Sequence, residues 1–358
     1  MKILVDCRYV RIGRHDGISR YSARLTEALS KLHPVTMLIY DERQLEMLPD
    51  LPWERIGAPT SLLEPLVARQ VNTLHPDVVW TPMQTMGAFG RHYGLVNTVH
   101  DLIYYVNRTP PRDLPWVIRA VWRLYHYAWW PQRLLLNAAD EVVTVSYTTK
   151  DLIAAHHLTR HPVSVVSNAA DPAVGVQSRT EPATRDLVYM GSYMPYKNVE
   201  TLVAGMRELP GWTLHLLGRT SQDVRDRLAS LAPEGSLVFG GAVSDEEYAA
   251  ALDGATALVH ASKNEGFGIP LVESMSRGTP VVVSDIPVFR EVGADAALYF
   301  PADDPSAFAA QVRALEAPGE WAVRSAASRE RAAHYSWDSS AKALLEVLTR
   351  VAVAHGAN

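Results

Sequence analysis

The chain alternates short β-branched runs with longer stretches of helical period, and it does so twice. In the first half the apolar runs stand at Ile3–Asp6, Val35–Tyr40, Val78–Thr81, Leu95–His100 and Glu141–Val145, with helical stretches including roughly Ser19–Leu32 and Asp113–Ala138. The second half restarts the pattern at Leu187–Met190, Thr213–Leu217, Leu237–Phe239, Ala257–His260, Pro280–Ser284 and Ala297–Phe300. Such alternation predicts βα units around parallel sheets, an α/β chain of two doubly wound, Rossmann-like domains. Between the halves, Ala169 to Arg185 is rich in Ala, Pro, Thr and Ser and lacks periodicity. It sets the expected domains at 1–168 and 169–338. A final helix, roughly Ser339–His355 within 339–358, carries Ala341, Leu344, Leu345, Leu348 and Val351 on one apolar stripe.

Bulk properties narrow the class. At 358 residues the chain exceeds the size of one hydrophobic core. Its 47% apolar and 20% charged content is that of an ordinary globular enzyme. A net charge of −5 argues against a general nucleic-acid binder, which carries a basic excess. The single Cys7 rules out an intrachain disulfide framework and fits a reducing compartment; in the first apolar run it reads as a small core residue. The chain enters a strand at once with no basic leader, and no run of about 18 uncharged apolar residues occurs. The expectation is a cytoplasmic protein, or one peripheral at a membrane's inner face.

One segment carries the most chemistry: Glu265-Gly266-Phe267-Gly268-Ile269-Pro270-Leu271-Val272-Glu273. Two carboxylates flank a glycine-rich turn that runs into a helix, with Pro270 suited to its first turn. The amides of Gly266, Phe267 and Gly268 at such a helix start favour an anion. A nucleotide diphosphate-sugar, anionic with hydroxyls on either side, satisfies the whole arrangement. A plain helix start led by an acidic residue is the alternative reading for either carboxylate alone. The segment resembles the acidic Glu-x7-Glu motif of retaining glycosyltransferases of the GT-B fold, family 4.

That resemblance covers essentially the whole chain and is strongest from Val188 to Asp304. It implies two Rossmann-like domains facing across a cleft, the first shaping acceptor choice and the second binding donor, with the C-terminal helix packing back on the first. It implies that Glu265 holds donor hexose hydroxyls, that Glu273 holds the ribose, and that Phe267, Gly268 and Ile269 offer amides near sugar and phosphate. Gly191-Ser192-Tyr193-Met194-Pro195-Tyr196-Lys197-Asn198 resembles the family's Gly-x-x-x-Pro-Arg-Lys-Asn segment, whose cations neutralise the departing diphosphate. Lys197 is in place, whereas Ser192 follows the glycine and Tyr196 stands where the Arg is usual. Arg219 is the candidate for the second charge, a solvated loop cation being its other reading. The backbone near Val243 is expected to face the base, ahead of a capping box formed by Ser244 and Glu247. In the first half, Gly17 matches the family's N-terminal glycine loop, with Arg20 beside it and Ser19 as a candidate N-cap. His100-Asp101 ends a strand at the family's His-Asp element, where His100 positions the sugar. Catalysis is thus expected to rest on His100, Lys197 and Glu265.

The helical stretch Asp113 to Arg133 holds four of the nine Trp. At 100° per residue Val117, Val121, Leu124, Ala128 and Trp129 share one face, and Trp116, Arg119, Arg123, Tyr127 and Trp130 the other. Aromatics beside arginines suit a membrane interface, a sugar-stacking groove or a subunit contact. Metal binding is not expected: the 13 His are scattered, no Asp-x-Asp occurs, and GT-B enzymes generally need no bound divalent ion. The resemblance therefore implies a retaining hexosyltransferase acting on a glycan or lipid-linked acceptor, without a cofactor beyond its sugar-nucleotide co-substrate. Mannose from GDP-mannose is the first expectation and glucose from a UDP- or ADP-sugar the second. A non-catalytic sugar-nucleotide or glycan binder is the rival class; a phosphorylase is disfavoured, since no second basic cluster or cofactor-anchoring Lys stands out.

Overall fold

Both halves fold as their β-branched runs dictate. The computed structural model describes residues 1–110, 115–176 and 179–356. The chain divides into two units, Met1–Ala169 with Ser336–Asn358, and Ala170–Tyr335.

In the first unit the strands are β1 (Ile3–Asp6), β2 (Val35–Ile39), β3 (Trp53–Arg55), β4 (Val78–Thr81), β5 (Gly94–Val99), β6 (Glu141–Thr144) and β7 (Val163–Val165). They pair in parallel in the order β3-β2-β1-β4-β5-β6-β7. Every residue of β1, β4, β5 and β6 is buried, as central parallel strands covered on both faces must be. The edges β3 and β7 were not expected. Each has three residues, too few for an alternating pattern, and β3 is exposed throughout.

Helix α1 (Gly17–Ser30) is capped by Asp16, not by Ser19. The Asp16 carboxylate accepts the Ser19 amide at 2.9 Å, which places Ser19 inside the first turn and fully buried. The expected helix from Asp113 to Ala138 is two helices, α2 (Trp116–Tyr127) and α3 (Trp130–Leu136); Asp113 itself lies outside the described residues. Ala128 between them is extended, at φ −113° and ψ 134°. Pro131 accounts for the break, because it has no amide to donate and its ring would strike the carbonyl four residues back. It opens α3 instead. The C-terminal helix, Trp337–Ala354, belongs to this unit: Ser340 Oγ donates to the Ser167 carbonyl at 2.7 Å and Arg350 Nη2 to Glu141 Oε1 at 2.6 Å.

The second unit has β8 (Asp186–Met190), β9 (Thr213–Leu217), β10 (Leu237–Gly241), β11 (Ala257–His260), β12 (Val281–Ser284) and β13 (Leu298–Phe300), again all parallel, in the order β10-β9-β8-β11-β12-β13. Its core joins Leu187, Tyr189, Leu216 and Val259 to Leu202, Phe308 and Trp321 from the covering helices. Helix α4 (Asp245–Gly254) starts at the expected capping box, Ser244 with Glu247, and α5 (Ile269–Ser276) follows the loop after β11.

The two strand orders each contain one point where successive connections leave in opposite directions: between β1 and β4, and between β8 and β11. Loops diverge there and leave a crevice at the carboxyl ends of the strands, the general ligand position of open parallel sheets.

Candidate active site

At the second unit's switch point the flanking loops are Gly191–Asn198 after β8 and Ala261–Gly268 after β11. They are stitched together by the Lys263 amide, which donates to the Tyr196 carbonyl at 2.8 Å. A single 3-10 turn, Pro195–Lys197, ends in Asn198 with left-handed backbone (φ 52°), and Asn198 Nδ2 donates to the Ala302 carbonyl at 2.6 Å. So held, Lys197 Nζ donates to Glu265 Oε1 at 2.5 Å. Ser262 Oγ donates to the same oxygen at 2.8 Å. The Lys197 and Glu265 side chains are only 15% and 11% exposed, so the pair sits in a poorly screened environment. Burial alone pushes the Glu265 carboxyl up, but the adjacent Lys197 ammonium and the two hydrogen bonds outweigh it and hold the group below its ordinary value. Glu265 is therefore ionised at neutral pH. Among the described residues no group donates to its second oxygen, Oε2.

His260, at the end of β11, lies behind this pair. Burial first, and the Lys197 charge second, lower its pKa to about 4. Its Nε2 donates to the Met190 carbonyl at 3.0 Å, which leaves a neutral ring with the proton on Nε2.

Helix α5 begins at Gly268, whose φ of +98° belongs to the region glycine occupies without strain. A Cβ there would lie 3.0 Å from the Phe289 ring. Pro270 sits in the first turn as expected. Gly266 and Phe267 are buried, the Phe267 ring edge-on to Tyr335 at 5.3 Å, while Ile269 is half-buried. Glu273, one turn into α5, is half-buried.

The neighbouring strand ends bring the remaining candidates to the same end of the sheet. A Cβ on Gly218 (φ +120°) would stand 2.4 Å from the Gly191 carbonyl oxygen, so the ends of β8 and β9 approach as closely as they do only with glycine present. Ser192 and Arg219, the residues after these glycines, are exposed, and among the described residues Arg219 joins no ion pair. Val243 is half-buried beyond β10. Lys197 and Glu265 are thus in direct contact, with Gly191, Ser192, Arg219 and Val243 on adjoining strand-end loops.

The first unit places its own candidates at its switch point. Gly17 is the exposed first residue of α1, and Arg20, half-buried, lies in that helix's first turn. His100, half-buried after β5, donates from Nε2 to the Pro82 carbonyl just beyond β4 at 2.7 Å and packs edge-on to Tyr21 of α1 at 5.0 Å. Burial lowers its pKa to about 4. A neutral imidazole whose Nε2 proton is committed to a carbonyl has a lone pair on Nδ1, which can accept from a hydroxyl. Asp101 Oδ1 accepts the Ile103 amide at 3.0 Å.

Three residues at these strand ends were not singled out from the sequence. His260 and Ser262 owe their place to burial, of which the only linear signal is Ser262 standing three residues before Glu265. Arg8, two residues beyond β1, is fully buried. Its guanidinium donates to Asp6 Oδ1 at 2.8 Å and Oδ2 at 3.0 Å, to Glu64 Oε1 at 2.9 Å and Oε2 at 2.7 Å, and to the Gly57 carbonyl at 2.9 Å. No cluster of three His, Cys, Asp or Glu arranged to hold a metal ion occurs among the described residues. Among them, no helix is long and apolar enough to cross a membrane.

Residues 15–174 match the family model described as Glycosyltransferase Family 4, and residues 176–332 the one described as Glycosyl transferases group 1. The chain is a family 4-like glycosyltransferase. It is 26% identical over 325 residues to the O-antigen chain mannosyltransferase RfbU of Salmonella typhimurium, covering 86% of this chain and 89% of that one. It is 34% identical over 179 residues to a phosphatidyl-myo-inositol mannosyltransferase of Mycolicibacterium smegmatis, covering 47% and 45%. The glycosyltransferase has the GT-B fold, with its two parallel Rossmann-like sheets. A sucrose-phosphate synthase from Thermosynechococcus elongatus superposes with a TM-score of 0.75 at 18% identity, covering 99% of this chain and 100% of that one. Anabaena HepE in complex with UDP-glucose gives 0.73 at 18% identity, covering 98% and 100%.

Proposed function

We propose that the glycosyltransferase moves mannose from GDP-mannose to a hydroxyl of a glycan or lipid-linked glycan, with retention at the anomeric carbon. The observation that carries this reading is the Lys197–Glu265 pair at the β8/β11 switch point. A fixed ammonium there meets the negative charge that develops on a departing diphosphate, the charge a transfer enzyme must stabilise most. The ionised Glu265 beside it accepts from hexose hydroxyls, and the half-buried Glu273 takes the ribose. Gly191, Ser192, Arg219 and Val243 line the nucleotide's path, with the Gly266 to Ile269 backbone near the sugar phosphate. Arg219, exposed and in no ion pair among the described residues, supplies the second cation that Tyr196 does not. In the first unit, His100, with its Nδ1 lone pair, is the candidate acceptor for a sugar hydroxyl, and Gly17 the candidate for a phosphate. Mannose is supported by the relatives, several of which are named mannosyltransferases, two of them by a name that includes GDP-mannose.

The test is nucleotide release from GDP-, UDP- and ADP-sugars in the presence of candidate acceptors. Release with GDP-mannose and an α-linked product by NMR are expected. Turnover only with a UDP- or ADP-sugar replaces the donor, and no release from any sugar nucleotide favours a binding protein on this fold.

A second observation favours contact with a lipid surface. Trp116, Tyr127 and Trp130 are 79%, 71% and 61% exposed on α2 and α3, and the Arg108 guanidinium lies 4.5 Å over the Tyr127 ring. Rings at headgroup depth beside cations suit an anionic interface. Of the expected apolar face, Ala128 and Trp129 are half-buried, and the side chains of Val117, Val121 and Leu124 lie outside the described residues. Replacing Trp116 and Trp130 together with Ala is expected to weaken flotation with anionic liposomes; undiminished binding would remove this reading.

A further inference from the structure

Glu265 is held unevenly, and the unevenness has a chemical direction. Oε1 takes Lys197 Nζ at 2.5 Å and Ser262 Oγ at 2.8 Å. Ser262 is fully buried, and its own carbonyl accepts from Ser284 Oγ, also fully buried, at 2.5 Å. A hydroxyl has one proton to give, and Ser262 has two neighbours that accept: the carboxylate, and His260 Nδ1 at 3.4 Å. Because Nε2 of His260 carries that ring's proton, Nδ1 is a lone pair. The proton goes to the carboxylate, which is closer and charged.

We propose that Ser262 is a positioning residue of the donor site. With Lys197 it fixes Oε1 from two directions, and so turns Oε2 toward a hydroxyl of the bound sugar. One donor alone would leave the carboxylate free to pivot about the Lys197 contact. Ser284, at the end of β12, keeps the Ser262 backbone in place, so the orientation of Glu265 is anchored two strands' ends deep in the sheet. Nothing in this arrangement requires Ser262 to touch the substrate.

The inference rests on Glu265 being a donor-binding carboxylate, and the experiment separates the two. Sugar-nucleotide turnover is measured for Glu265→Ala, Ser262→Ala and Ser284→Ala, each as a pH profile with donor and acceptor varied separately, alongside thermal unfolding. Ser262→Ala is expected to lower kcat/KM for the donor about tenfold, equivalent to about 1.4 kcal/mol, while KM for the acceptor stays unchanged. It should also move the acid limb of the profile to higher pH, because the ionised form of Glu265 loses a hydrogen bond that stabilises it. A side chain that only fills space would lower the unfolding temperature without moving that limb. Ser284→Ala is expected to move both quantities the same way by less, and it carries the test if Ser262→Ala does not fold. Wild-type donor kinetics with an unmoved acid limb overturn the proposal. If Glu265→Ala itself retains wild-type turnover, the reading of the site falls first.

Discussion

The two sheets present charged clusters at equivalent places, just beyond the carboxyl ends of the strands that flank each switch point, yet the clusters are built to opposite ends. In the first unit Arg8 is buried between Asp6 and Glu64, and all four carboxylate oxygens are claimed. Asp6 Oδ2 also accepts from Thr81 Oγ1 at 3.3 Å, and Glu64 Oε1 from the Gly87 amide at 3.2 Å. The network ties together the loops after β1, β3 and β4, and each of its carboxylate oxygens already accepts from a protein donor. In the second unit Oε2 of Glu265 has no donor among the described residues, and Lys197 is 15% exposed where Arg8 is fully buried. A saturated buried ion network specifies a backbone arrangement; one with a vacant valence specifies where a ligand group goes. The difference separates two kinds of buried charge that a count of ion pairs would treat alike.

The largest effect is expected where the network is closed. Arg8→Met leaves the buried Asp6 and the half-buried Glu64 carboxylates without their partner, a loss of about 3–5 kcal/mol by the usual cost of breaking a buried pair. Thermal or urea unfolding should show it, with donor KM of the remaining folded protein near wild type. A wild-type midpoint would mean that the cluster is not structural and that the contrast is false.

Next in size are Lys197→Ala and Glu265→Ala. Each is expected to lower kcat/KM by about 10²–10³-fold, the range for removing one fixed group that meets developing charge. Loss of stability should be smaller than for Arg8→Met, because Lys197 reaches solvent whereas Arg8 is fully buried. Wild-type-like rates in both variants would end the assignment of this pair to the reaction.

Much of the fold was legible because central parallel strands are buried on both faces and read as unbroken β-branched runs: Val78–Thr81 stands where the pattern set it, and Val281–Ser284 falls within the expected Pro280–Ser284. The edges were not legible, since Trp53–Arg55 has neither the length nor the burial to leave a pattern. Local chemistry was readable when a cap and its partner lie within one turn, as at Ser244 and Glu247, and misread at Ser19, where the Asp16 carboxylate three residues earlier takes the cap. The helix through Asp113 to Ala138 was read from periodicity alone, and Pro131 overrides periodicity. In the site, each of Lys197 and Glu265 could be picked out by its motif. Their contact could not, because it spans 68 residues and exists only since β8 and β11 are neighbours in the sheet. Ser262 and His260 lie further beyond reach: nothing in a linear pattern says that a serine hydroxyl is buried against a carboxylate.

The smallest expected effect concerns the neutral histidine behind the open cluster. His260 titrates at about 4 in the folded protein, against about 6.5 in an unfolded chain. Between those values the unfolded state binds more protons than the folded one, so stability rises with pH across the window and is lost as pH falls through it. Going from about pH 7 to about pH 5 should cost about 2 kcal/mol from this group alone. His260→Gln cannot take up a ring proton, so urea unfolding of this variant should show a shallower decline over the same interval. The comparison is informative because the closed cluster of Arg8, Asp6 and Glu64 contains no histidine. An identical decline in His260→Gln and wild type would show that the ring behind Glu265 is not held neutral.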